Sequence, residues 1–73
     1  MAVFSERIKE LRKEAGLTQE QLGNVIDVSK FSVHLYEKGT NFPDLKGFIA
    51  LADYFDVSMD YLAGRTDKRE VNR

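Results

Sequence analysis

An all-α fold of five short helices is predicted for this 73-residue chain by three features. Residues that cap helix starts recur along it, at Thr18, Ser29, Asp44 and Ser58. Residues that end helices recur out of phase with them, at Gly16, Asp27, Gly39, Asp56 and Gly64. Between starts and stops, apolar residues fall three or four apart, the spacing that gathers side chains on one face of a helix.

Each element follows from these signals. Ser5 can cap a first helix running to about Ala15, with Phe4, Ile8, Leu11 and Ala15 on one face. Arg7, Glu10, Lys13 and Glu14 then read as a mostly solvated face. Gly16 ends the helix, and Leu17 is expected to drop into the core. Thr18 and Gln21 form a capping box for a second helix, Gln19 to about Ile26, whose Leu22 and Ile26 share a face. Gly23 sits inside that helix at a cost of about 1 kcal/mol relative to alanine. Close approach of the third helix is the expected reason. Asp27 occupies the turn and tolerates a left-handed backbone better than most residues. Ser29 can cap a third helix, Lys30 to about Glu37. Val33 and Tyr36 face inward, while Lys30, Phe31, His34 and Leu35 point elsewhere. Thr40, Asn41 and Phe42 form a loop, and Pro43-Asp44 opens a fourth helix with Leu45, Phe48, Leu51, Ala52 and Phe55 as a wide apolar face. Gly47 in its first turn has no explanation in the sequence. Ser58 caps a short fifth helix, Met59 to about Ala63. The polar residues from Arg65 on lack periodicity and should fray. The expected division is a domain over 1–66 and a disordered polar tail over 67–73.

Composition bounds the function. The length allows one domain with a small core. Apolar residues make up 42% and charged residues 32%, which suits a soluble globule, and there is no cysteine to supply a disulfide or thiolate ligand. No apolar run nears the roughly 20 residues that span a bilayer, and the first residues do not read as a signal peptide. The expected location is the cytoplasm. With one histidine, no Gly-rich phosphate loop and no metal-ligand spacing, neither an enzyme, a cofactor nor a metal is expected, and no small-molecule site is evident. The net charge of −1 argues against a non-specific nucleic-acid binder. Lys30 and Lys38 are the only full cations between Gly16 and Asp44, so phosphate contact would fall largely to helix N-terminal amides and neutral side chains.

Thr18 to Gly39 thus reads as two helices joined by a turn, either an ordinary helical corner or a helix-turn-helix whose second helix suits a DNA major groove. The residues resemble the lambdoid phage repressor and Cro family, including the xenobiotic-response-element-type bacterial regulators. The matching pieces are RIKELRKEAGLTQEQL (Arg7 to Leu22), DVSKFSVHLYEKG (Asp27 to Gly39), Pro43, and LADYFDVSMDYLAGRTD (Leu51 to Asp67). The resemblance implies a repressor-like domain that binds a palindromic operator on double-stranded DNA as a homodimer and regulates transcription. Arg12 and Glu37 match an ion pair that family members form between the first and third helices. Phosphate contact by Arg12 is the alternative. Family members usually have glycine where Asp27 stands, and most often alanine where Gly23 stands.

The resemblance also assigns candidate DNA contacts. Gln19 falls where family members touch phosphate or an adjacent base, or is simply a solvated helix start. Base-reading positions map onto Lys30, Phe31 and Leu35, with Ser29, Ser32 and His34 close by. Lys30 can bond guanine O6 or N7. His34 can donate to a base or phosphate, or stand as a solvated imidazole. Phe31 and Leu35 depart from the polar residues common there. They can meet thymine methyl groups, pack on a partner protein, or reflect a rotated helix with one of them in the core. Lys38, Thr40 and Asn41 form the natural backbone-contact loop, with Lys46 less so. A dimer patch is expected near the fifth helix, with Tyr54, Met59, Tyr61 and Leu62 as candidates. Of these Met59 and Leu62 also read as core plugs. The competing function is an antitoxin or protein-recruiting module that uses the Phe31–Leu35 face.

Overall fold

The computed structural model describes residues 3–71 and contains five helices and no strand among them: α1 (Phe4–Glu14), α2 (Gln19–Ile26), α3 (Lys30–Lys38), α4 (Leu45–Phe55) and α5 (Met59–Leu62). The molecule measures 30 × 23 × 22 Å. No helix among the described residues is long and apolar enough to cross a membrane.

The helix ends follow one chemical pattern. The hydroxyls of Thr18, Ser29 and Ser58 and the carboxylate of Asp44 each accept the amide three residues on, at Gln21, Ser32, Tyr61 and Gly47. Thr18 and Gln21 close a full capping box. At the other end of every helix a left-handed residue turns the chain: Gly16, Asp27, Gly39, Asp56 and Gly64. The next amide then bonds back five residues, from Leu17 to Arg12, Val28 to Gly23, Thr40 to Leu35, Val57 to Ala52 and Arg65 to Asp60. Both aspartates do the work of glycine at φ near +55°.

One side chain from each helix is fully buried: Ile8, Leu22, Val33, Leu51 and Leu62. Phe4, Leu11, Tyr36, Ala52, Val57 and Tyr61 complete the core, with Leu17, Val25, Ile26, Val28, Phe48 and Phe55 half-buried around it. α3 packs on both α2 and α1.

Several sequence expectations are corrected here. α1 starts at Phe4, so Ser5 lies inside the helix; Val3 precedes it and supplies no side-chain cap. Ala15 is exposed, as is Leu45 at the start of α4. Arg7 is not on a solvated face. It is 4% exposed, because its position lies on the same stripe as Phe4, Ile8 and Leu11. Its guanidinium donates to the carbonyls of Tyr61 and Thr66 and to Asp67 Oδ1, and stacks 3.8 Å above the Tyr61 ring. Gly23 is required by the turn rather than by the body of α3: a Cβ there would lie 2.6 Å from the Val28 carbonyl oxygen. Gly47 also finds a reason. A Cβ would sit 3.1 Å from the capping Asp44 Oδ1 and 3.3 Å from Pro43 Cβ.

The segment after α5 returns to the domain. Ser58 N–H donates to the Arg69 carbonyl at 2.8 Å. Arg69 forms a two-point contact with Glu14, at 2.9 and 2.5 Å, and its Nε donates to the Tyr61 hydroxyl.

Candidate nucleic-acid interface

The N-termini of α2 and α3 open on the same side of the molecule. Arg12, Thr18, Gln19, Glu20 and Lys30 line one shallow groove between them. Both helices therefore direct their positive dipole ends and unpaired first-turn amides towards that groove, an arrangement suited to an anion such as phosphate.

α3 is divided cleanly by its periodicity. Val33 and Tyr36 are buried, and the opposite face presents Lys30, Phe31 and His34 to solvent. Phe31 is 67% exposed, and its ring stacks on that of His34 with centroids 6.4 Å apart. Leu35 is half-buried at the flank, so the two apolar side chains of this face are not equivalent. Ser29 and Ser32 hydroxyls lie 3.2 Å apart and Ser29 caps the helix, so both are engaged in its first turn. Lys38 is exposed at the far end. Beyond it, Thr40 Oγ donates to the Leu35 carbonyl, and Asn41 Oδ1 accepts the Phe42 amide, which shapes an exposed loop.

The orientation of α3 is held from below. The Glu37 side chain is 5% exposed and accepts from Arg12 Nε at 2.6 Å and Arg12 Nη2 at 3.0 Å. The third Arg12 donor closes on the Leu17 carbonyl at 2.9 Å. The hydrogen bond to Glu37 holds the Arg12 guanidinium above its ordinary value, against the opposing effect of burial. Gln19 Nε2 also donates to Glu37 Oε1, at 3.3 Å. Glu37 is thus compensated on three sides, and its charge subtracts little from the field over the groove. Gln19 is positioned by that contact rather than free.

The expected dimer residues separate. Tyr54 and Met59 are 48% and 43% exposed, whereas Tyr61 and Leu62 are buried within the protomer. Tyr61 is held there by Arg7 and Arg69 over its ring, and Leu62 by the core. Met59 is therefore not a core plug, and Tyr61 is not a surface residue. Reasoning from sequence missed the cluster of Arg7, Tyr61, Arg69 and Glu14. The helical register of Arg7 was its one available signal, since the partners lie more than fifty residues away.

Residues 8–62 match the helix-turn-helix family. This chain belongs to that family. Among its relatives is the uncharacterized HTH-type transcriptional regulator YobD of Bacillus subtilis, 40% identical over 65 residues, which cover 89% of this chain and 58% of YobD. The chain thus spans little more than half the length of that relative. Its fold matches that of the P22 c2 repressor in complex with a synthetic operator, with a TM-score of 0.83 and 27% identity over 90% of this chain and all of that one. A transcriptional regulator from Listeria innocua is similar at a TM-score of 0.82 and 36% identity, over 86% of this chain and 59% of that one. The matched stretch contains α2 and α3 in full.

Proposed function

We propose that this chain acts as a sequence-specific DNA-binding transcriptional regulator, a repressor. It binds a palindromic operator as a homodimer in the cytoplasm and occludes a promoter. The observation that carries this is the exposed face of α3, bearing Lys30, Phe31 and His34, on a helix whose other face is buried and whose end is locked by Arg12 and Glu37. A rigid helix with polar and aromatic side chains facing outward is what reading base edges requires.

Lys30 bonds guanine O6 or N7, and Phe31 packs on thymine methyl groups. Leu35 adds contact only at the flank. Gln19, held by Glu37, meets a phosphate at the α2 N-terminus. Ser29, Ser32, His34, Lys38, Thr40 and Asn41 supply polar contacts around the recognition helix, mainly to the backbone. Tyr54 and Met59 form the exposed part of the dimer patch. The chain's small net negative charge makes non-specific affinity low and places the burden on α3.

Selection of binding sites from a random duplex library at low salt tests this reading, followed by titration of the best site across salt. The expected result is an enriched palindrome with half-sites about 10 base pairs apart and a log affinity that falls linearly with log salt. Failure to enrich any sequence would overturn it.

A further inference from the structure

α4 carries two charges at the ends its dipole disfavours. Lys46 stands in its first turn, where the dipole is positive, and Asp53 in its last turn, where it is negative. Each place favours the opposite sign. Both side chains are exposed, and among the described residues neither forms an ion pair that offsets the misplacement.

The two residues are seven positions apart. Seven residues advance a helix by almost two full turns and about 10 Å, so both charges lie on one line along its surface. Leu45, Ile49 and Tyr54 flank that line and are 68%, 39% and 48% exposed. The other side of α4, with Phe48, Leu51, Ala52 and Phe55, packs in the core. The outer face thus has apolar side chains at its beginning, middle and end, a cation towards one end and an anion towards the other. Such a face is complementary to itself. A two-fold axis between residues 49 and 50 brings a second α4 alongside in the opposite direction. Lys46 of each protomer then stands opposite Asp53 of its partner, Leu45 stands opposite Tyr54, and the two Ile49 side chains meet near the axis. Each charge also comes beside the end of the neighbouring dipole that favours it.

We propose that the outer face of α4 is the dimer interface, pairing antiparallel with the α4 of a second copy of this chain. The inference rests on the homodimer proposed above and gives it a geometry. It extends the patch from Tyr54 back to the start of α4, and it accounts for Leu45, which spacing assigns to the core and the structure leaves in water. The reciprocal Lys46–Asp53 contacts fix the register and the direction of the pair, since a parallel arrangement sets like charges side by side.

Sedimentation equilibrium of the full chain without DNA, up to about 1 mM protein, tests the pairing. The parent is expected to form a dimer. Lys46→Asp sets like charges opposite each other at both ends of the interface, as does Asp53→Lys, and each should weaken dimerisation about 10-fold. Joining the two changes exchanges the signs and should return the association to within about 3-fold of the parent. Each change also places at its end of α4 the sign that the dipole favours, so the monomer should keep its helicity by circular dichroism. A parent that stays monomeric throughout, or a double variant that does not recover, would overturn the proposal. Dimerisation equal to the parent's in both single variants would overturn the α4 interface and leave the homodimer to another surface. With no DNA present, none of these outcomes bears on operator binding, which the site selection decides separately.

Discussion

Phe31 exposes two-thirds of its surface on a helix whose other face is completely buried. The His34 ring lies beside it, with centroids 6.4 Å apart and 30° between the planes. In the proposed complex the Phe31 ring meets a thymine methyl. Replacing the facing thymine by deoxyuridine removes one methyl contact and should weaken binding about fourfold, from about 0.8 kcal/mol per buried carbon. In Phe31→Ala the same replacement should change nothing, as read by fluorescence anisotropy on the selected site. Lys30 is predicted to act differently. Lys30→Ala should cost about 1–3 kcal/mol and relax the preference at a single base pair. A uniform loss over all sequences would instead place Lys30 on the phosphate backbone.

Between elements, the contact that matters for α3 is the forked one between Arg12 on α1 and Glu37. Both side chains are largely shielded from water, at 13% and 5% exposure, so solvent screens the pair little. Removing one partner leaves the other charge buried beside apolar neighbours. Arg12→Ala should therefore destabilise the fold by about 3 kcal/mol in urea denaturation. Arg12→Lys should recover part of that loss, because an ammonium cannot present the planar fork that reaches both Glu37 oxygens and the Leu17 carbonyl. Equal stability of parent and Arg12→Ala would reduce the pair to a surface decoration. The five helix ends show a second kind of economy. Each terminates with the same left-handed residue and backbone bond, and two of the five use aspartate where glycine is the easier choice.

For the whole molecule, the segment after α5 ties α1 to α5. Arg69 spans Glu14 on α1 and Tyr61 on α5, and Arg7 reaches across to the Thr66 carbonyl and Asp67. The hydrogen bond from Arg69 holds the Glu14 carboxyl below its ordinary 4.5, with their charge attraction adding and desolvation opposing. A folded value below the unfolded one means that the contact stabilises the fold above the unfolded value. The contribution is lost as pH falls through the folded value. Glu14→Gln should thus lower the melting temperature slightly at neutral pH. The difference from the parent should shrink as pH falls below the ordinary carboxyl value and the parent carboxyl protonates. Because Glu14 is exposed, added salt should shrink the neutral-pH difference as well. A difference that persisted into acid would assign the effect to lost packing.

Local chemistry was legible in the sequence wherever one short stretch contained both partners of an interaction. The caps at Thr18, Ser29, Asp44 and Ser58, the left-handed turns at Asp27 and Asp56, and the inward pairing of Val33 with Tyr36 all depend on residues at most a few positions apart. Backbone geometry decides them almost alone. The resemblance across Arg7 to Asp67 added the helix order and the location of the candidate recognition face. Tertiary structure decided what depends on residues distant in the chain. It buried Arg7 by supplying carbonyls from residues 61 and 66, and it exchanged the expected roles of Met59 and Tyr61. It left Leu45 outside the core, although its spacing suits the apolar face of α4. It also set the Val28 carbonyl against Gly23. Periodicity states which side chains share a face. Whether that face meets a neighbour, a charge or water depends on how the helices cross, and no local pattern encodes that.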